Sequence, residues 1–403
     1  MATRRVGLWL IGACGGVGST TALGLAALSR GLTPTTGLVT ALPQFATLEL
    51  DEPAAFVVGG HDIRKANLLS AVRELHCRSN VFDERTITAC AGDLEAWSVN
   101  LRPGVAYRPN PTIAAMADRT DLKTAASPRA AIEQIQRDLK AFQATTGVDQ
   151  LVVVNAASTE PPFELAEEHQ SLERLLPALE RSSPAALLTS SLYAFAAIDV
   201  GFPYVNLTPS RGATMPALEE LARKRGVPLA GQDLKTGETL LKSVLAPLFA
   251  RRNLKVHSWV GHNILGNRDG MVLNDPDNKA SKVKSKDHLL GELLGYRPQS
   301  HVSIEYIESL DDWKTAWDHI HFEGFLGTKM TLQFTWQGCD SLLAAPLVLD
   351  IARLAFLAHR REETGSMKHL ACFFKSPIGV NEHDFNKQFE MLEEYAGSIK
   401  AKK

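Results

Sequence analysis

The alternation of apolar and polar positions divides the chain into two textures. In the first half, short runs that are apolar throughout alternate with longer small-residue or amphipathic stretches. Val6–Ile11 and residues 151–154 read as strands buried on both faces, and 55–58 and 186–189 as two more. Residues 20–28 form a small-residue helix ended near Gly31. Ser127-Pro128 is a cap followed by a first-turn proline, opening a helix with Ile132, Ile135 and Leu139 on one face and Gly147 as its stop. Strand and helix in turn over two hundred residues predict a doubly wound parallel sheet.

Past Pro203-Tyr204-Val205-Asn206 the pattern changes. Thr236 is positioned to N-cap a helix whose Leu241, Val244, Leu245 and Leu248 make one apolar stripe. Residues 301–308 and 328–336 alternate apolar with polar, which predicts half-exposed antiparallel strands of a second sheet. Residues 340–358 return to helix with Pro346 in its first turns. Residues 372–377 end a last short strand with Lys375 at its tip, and 381–403 read as a helix with a frayed basic end. The expected architecture is α/β. A Rossmann-type doubly wound domain, built from residues 1–202 and 345–403, is interrupted by a mixed α/β catalytic and oligomerisation domain at 203–344.

The turn after the first strand sharpens this reading. It runs Gly12-Ala13-Cys14-Gly15-Gly16-Val17-Gly18-Ser19, between a buried strand and a helix, the context a dinucleotide fingerprint requires. Glycines let the backbone approach a pyrophosphate while the helix start offers N–H donors. Cys14 stands where the plain pattern has glycine. Asp62, after the second apolar piece, is suited either to a ribose hydroxyl or to capping a helix. Asn155-Ala156-Ala157-Ser158-Thr159-Glu160 leaves the carboxyl end of another strand, where open α/β sheets bind ligands.

Composition narrows the classes. The 403 residues are 45 % apolar and 22 % charged, an ordinary globular balance. Forty-three basic against 45 acidic residues give a net charge of −2, so nothing draws the whole chain to nucleic acid or an anionic membrane. Five scattered cysteines without a C-x-x-C pair suggest neither zinc nor disulfides and fit a reducing cytoplasm. Residues 1–11 mimic the start of a signal peptide but break into glycine, and no span reads as a membrane helix. Neither a Gly-x-Ser-x-Gly elbow nor a His-Glu-x-x-His pair is present.

Four lysines, Lys282, Lys286, Lys314 and Lys375, stand in loop or strand-end settings beside Asp233, Asp269, Asp312 and Asp340. Any one lysine alone is by default a solvated surface residue. Lysines crowded by other cations lose protons more readily, so one can act as base while others grip an oxyanion. Asn263 and Asn267 suit sheet-end capping and polyol binding equally.

These segments resemble the myo-inositol-1-phosphate synthase family. The family's G-x-D-x-K-[ST]-G is matched by Gly231 to Gly237, and its K-S-V-L by Lys242 to Leu245. Its N-x-x-G-N-x-D-G is matched by Asn263 to Gly270, its two downstream lysines by Lys282 and Lys286, and its D-S-L-L-A-x-P-L by Asp340 to Leu347. Asp312-Trp313-Lys314 is similar to its D-S-K. Departures lie in the nucleotide half, where the family reads G-x-G-G-N-N-G-S, T-A-N-T-E and N-G-S-P. The resemblance implies an NAD-dependent isomerising cyclase, converting D-glucose 6-phosphate to 1D-myo-inositol 3-phosphate. Oxidation at C5 acidifies C6, the C6 enolate attacks the C1 aldehyde, and C5 is reduced again. It further implies catalytic roles for Lys282, Lys286, Lys314, Lys375, Asp233 and Asp269, and contacts to substrate or phosphate from Thr236, Gly237, Asn263 and Asn267. Cofactor contacts are implied for Gly12, Gly15, Gly16, Val17, Gly18, Ser19, Asp62, Ser158, Thr159, Asp312, Asp340 and Ser341. A homotetramer and an activating monovalent or divalent cation belong to the same expectation. The alternatives are a relative cyclising another sugar phosphate, a plain NAD(P) dehydrogenase, and a non-catalytic NAD-binding regulator.

Overall fold

The computed structural model describes residues 4–181, 186–273 and 289–400. Among the described residues thirteen strands follow in chain order: β1 (Val6–Ile11), β2 (Phe56–Asp62), β3 (Leu101–Pro103), β4 (Val105–Ala106), β5 (Lys123–Thr124), β6 (Gln150–Asn155) and β7 (Tyr204–Asn206). Then come β8 (Pro228–Ala230), β9 (Lys255–Leu265), β10 (Gln299–Tyr306), β11 (Trp313–Glu323), β12 (Lys329–Cys339) and β13 (Gly365–Ser366). Seven of them form one parallel sheet in the order β13-β8-β7-β6-β1-β2-β3. The mainly apolar runs of β1 and β6 are there because both faces are covered. Every residue of β1 is buried, and Trp9 packs edge-on against Phe142 of the helix Pro128–Thr146. On the opposite face lie the helices Gly16–Ser29 and Asp340–Arg360, packed against each other and the sheet.

The second sheet, β10-β9-β11-β12, stands on the helix Glu238–Arg251 through Phe249, Trp259 and Ile320. The helix Ser127 was expected to cap is present, with Ser127 accepting from the Ala130 N–H and Gly147 in the left-handed conformation at its end. The parallel sheet runs on through β7 and β8 to Ala230, so the division expected at 202/203 falls inside the elements that build it.

Six expectations are corrected. Residues 186–189 are not a strand: Thr189 opens the helix Thr189–Asp199, and four apolar residues carry too little length to separate the two. Residues 372–373 end a 3₁₀ turn, Lys368–Phe373, followed by a single antiparallel bridge from Phe374 to Leu234. β10 pairs with β9 in parallel, whereas β9, β11 and β12 are antiparallel; alternation reports which face is buried, not strand direction. The helix Glu238–Arg251 is capped by Gly237, not Thr236. Its buried face holds Lys242, Ser243, Ala246 and Phe249, leaving Leu248 exposed, because a buried ion pair turns the helix away from its leucine stripe. Finally, the 21-residue helix Asp340–Arg360 is long and apolar enough to cross a membrane, but most of its apolar window is buried as the core partner of Gly16–Ser29.

Candidate active site

A cavity of about 450 Å³ opens at the carboxyl ends of β1, β2 and β6, the edge where open α/β sheets hold ligands. One end is made of backbone. Gly12 has φ +83°, and a Cβ there would lie 3.0 Å from the Ala156 carbonyl oxygen. A Cβ on Gly16 would lie 2.3 Å from Ser341 Oγ, and one on Gly18 2.6 Å from the Gly12 carbonyl oxygen. The helix Gly16–Ser29 has no side-chain cap and no acidic residue in its first turn. Its leading N–H groups and positive dipole end are therefore presented to an anion. A cradle that any side chain would fill, leading to an uncapped helix, fits a dinucleotide pyrophosphate. Gly12, Cys14, Gly15, Gly16 and Val17 line the cavity. Gly18 and Ser19 lie behind it, the Ser19 hydroxyl donating to the Gly15 carbonyl at 2.8 Å.

Asp62, at the tip of β2, lines the same end and caps no helix; Asn67 caps the next one. Its carboxylate accepts the Cys14 N–H at 2.6 Å and the Arg64 N–H at 2.8 Å. Burial pushes its pKa up, and those two N–H donors oppose the rise. Ser158 and Thr159 line the cavity beyond β6, and Thr159 Oγ1 donates to Asp269 at 3.1 Å.

The middle of the cavity is a carboxylate lattice. Asp312 accepts from Cys339 Sγ at 2.7 Å, from the Ser341 N–H at 2.8 Å and from Ser341 Oγ at 3.0 Å. Asn267 Nδ2 reaches Asp312 at 3.3 Å and Asp340 at 3.5 Å, while its Oδ1 accepts the Gly270 N–H. Burial raises the Asp312 pKa, the neighbouring Asp340 charge adds to this, and the hydrogen bonds from Cys339 and Ser341 oppose it. Since Ser341 also abuts Gly16, this lattice ties the second sheet to the nucleotide turn.

The cavity also carries ammonium groups. Lys375 pairs with Asp233 at 2.8 Å and Lys314 with Asp340 at 3.6 Å; all four residues line the cavity. Lys375 and Asp233 come together through a short backbone ladder between segments some 140 residues apart. The Lys375 N–H donates to the Asp233 carbonyl, Gln232 and Ser376 exchange both bonds, and the Lys235 N–H donates to Phe373. Thr236 lines the cavity, while Gly237 and Asn263 do not. Asn263 is buried in β9 and donates to Glu238 at 2.6 Å. Lys282 and Lys286 lie outside the described residues.

Residue-by-residue reading of the sequence passed over two features. Lys235 is buried, hydrogen-bonded to Gln388 of the helix Phe385–Lys400 and set over the Phe385 ring. Burial brings its pKa down to about 8, the Lys375 charge acting in the same direction. Its place in the sequence, between Asp233 and Thr236, was the available signal. Arg64, two residues after Asp62, also lines the cavity, as do Glu74 and Arg268, which tertiary packing brings to it.

A parallel nucleotide-binding sheet whose cofactor end opens into a compartment walled by lysine–carboxylate pairs defines an NAD-linked enzyme. The sequence model of the myo-inositol-1-phosphate synthase family matches residues 6–396, and the chain belongs to that family. It is 33 % identical to inositol-3-phosphate synthase 1 of Bacteroides thetaiotaomicron, over 96 % of this chain and 92 % of that protein. It is also 33 % identical to inositol-3-phosphate synthase 1 of Oryza sativa subsp. japonica, over 76 % of this chain but only 61 % of that longer protein. The crystal structure of inositol-3-phosphate synthase from Caenorhabditis elegans superposes with a TM-score of 0.85 at 25 % identity, covering 98 % of this chain and 85 % of that one. The expected α/β fold with a parallel sheet and a separate mixed sheet is thereby established.

Proposed function

We propose that this chain converts D-glucose 6-phosphate to 1D-myo-inositol 3-phosphate, with NAD as a recycled catalyst. The observation that carries the reading is one cavity lined both by an uncapped, glycine-lined helix start and by two lysine–aspartate pairs. NAD, when bound, supplies hydride acceptance and return at one carbon. The glycine turn and helix start would hold its pyrophosphate, and Asp62 its ribose. Everything else falls to the chain. Lys314 and Lys375 would face oxygens that gain negative charge during enolisation and ring closure, with Asp340 and Asp233 fixing where the ammonium groups point. Fixed cations in a site sheltered from water stabilise such charge better than reorienting solvent does. Thr236 and Asn267 would orient hydroxyls or phosphate, and Asp269, held by Thr159, lines the same cavity. Lys282 and Lys286 join this scheme through the family likeness alone. So do a cytoplasmic homotetramer assembled through the second sheet and an activating monovalent or divalent cation.

Purified protein incubated with glucose 6-phosphate and NAD⁺ should yield inositol monophosphate by chromatography, without net absorbance gain at about 340 nm. Stoichiometric NADH accumulation would instead identify a plain dehydrogenase. Light scattering checks the tetramer, and assays after chelation and after exchange of the monovalent salt check the cation.

A further inference from the structure

The Asp62 end of the cavity carries two contradictory signals. An acid at the tip of the second strand takes the hydroxyls of an adenosine ribose, whereas an arginine close by accommodates the 2′-phosphate of NADP. This chain has both, Asp62 and Arg64, two residues apart. The guanidinium of Arg64 lies over the nucleotide turn, where Nη1 donates to the Cys14 carbonyl at 2.8 Å. Its Nη2 is bound by Glu74, from the helix Leu68–Ser79. Its Nε is buried with no partner among the described residues. Glu74 is held from its other side by Arg268, at 2.9 Å. Asp62, Arg64, Glu74 and Arg268 all line the cavity. Burial alone would raise the Glu74 carboxyl, but the hydrogen bond and charge of Arg64, with Arg268 behind them, bring it below the usual range, so it is ionised at neutral pH.

We propose that Glu74 makes this site select NAD⁺ over NADP⁺, by occupying as an internal carboxylate the arginine fork that a 2′-phosphate would need. The inference rests on reading the cavity as an NAD site. An arginine fork is a preferred seat for phosphate. Here it is taken, and an incoming phosphate of charge about −1.5 to −2 would meet both Asp62 and Glu74 before reaching it. Arg268 gives Glu74 a second anchor, so the carboxylate cannot swing aside without breaking two pairs.

The test is equilibrium titration of the full chain with NAD⁺ and with NADP⁺, read by calorimetry and independent of turnover. Wild type should bind NAD⁺ more tightly. Glu74→Gln should lower the ratio Kd(NADP⁺)/Kd(NAD⁺) by about tenfold or more, chiefly by tightening NADP⁺. Glu74→Ala, a change the helix accommodates readily, should move the ratio in the same direction. Adding Arg64→Gln to Glu74→Gln should take the gain away. A ratio within about twofold of wild type in both single variants overturns the proposal, since a charge-assisted contact is worth more than that. So does a gain that survives the loss of Arg64. Binding of neither nucleotide to wild type would instead bring down the reading of the cavity, and this inference with it.

Discussion

The cofactor and substrate linings of the cavity are built by opposite means. The cofactor lining is made from what is missing: side chains absent at Gly12, Gly16 and Gly18, and a cap absent from the helix Gly16–Ser29. The substrate lining is made from what is imported, as Lys375 reaches Asp233 across a ladder and Lys314 reaches Asp340 across the second sheet. A backbone cradle tolerates no added atom. A charged wall depends on distant segments and fails when one partner is removed. The two linings should therefore break separately and in different ways.

The largest effect is expected at the cradle. Gly18→Val places a side chain against the Gly12 and Ala13 carbonyls, within 2.7 Å already for its Cβ. It should cost about 1–3 kcal/mol of stability and abolish NAD⁺ binding in a titration. Next comes Lys375→Ala, which should lower turnover on the order of 10²–10³-fold while NAD⁺ affinity changes little. A parallel loss of both would mean the two linings are not separable. Lys235→Met probes the ladder's anchor through pH. Burial brings the folded-state pKa down to about 8 from the 10.5 of an exposed lysine, so between those values the unfolded chain binds the extra proton. Wild-type stability relative to Lys235→Met should then rise with pH across 8 to 10.5, approaching about 1.4 kcal/mol per pH unit; chemical denaturation at several pH values measures it. A flat difference would show that the ammonium is not desolvated. The smallest effect belongs to Arg268→Ala, whose pair with Glu74 is over one-third exposed on both sides and should cost no more than about 1 kcal/mol in thermal melts.

The same contrast explains what was legible in the sequence. Gly12 to Ser19 could be read because strand, turn and helix are contiguous and the constraint is local. The helix from Ser127 to Gly147 was legible for the same reason: cap, first-turn proline and stop are all sequence-adjacent. Lys314 and Lys375 were singled out by motif, but nothing local shows that Lys375 meets Asp233. That contact comes from a backbone ladder joining 231–235 to 373–378. The leucine stripe of Glu238–Arg251 misled because Lys242 and Glu238, 2.5 Å apart and buried, take the inward face that apolar spacing assigns to leucine. Asn263, buried in β9, donates its amide to Glu238 and does not line the cavity, a placement no local pattern shows. Arg64 follows Asp62 by two residues, but only packing brings Glu74 and Arg268 to it.

The central claim is that a single sugar molecule gives up and regains hydrogen at one carbon inside this cavity. Glucose 6-phosphate carrying deuterium at C5, turned over with unlabelled NAD⁺ and analysed by mass spectrometry, tests it directly. Inositol monophosphate retaining the deuterium in nearly every molecule is the predicted result. Product that has lost the label, or label accumulating in the nicotinamide pool, would contradict it.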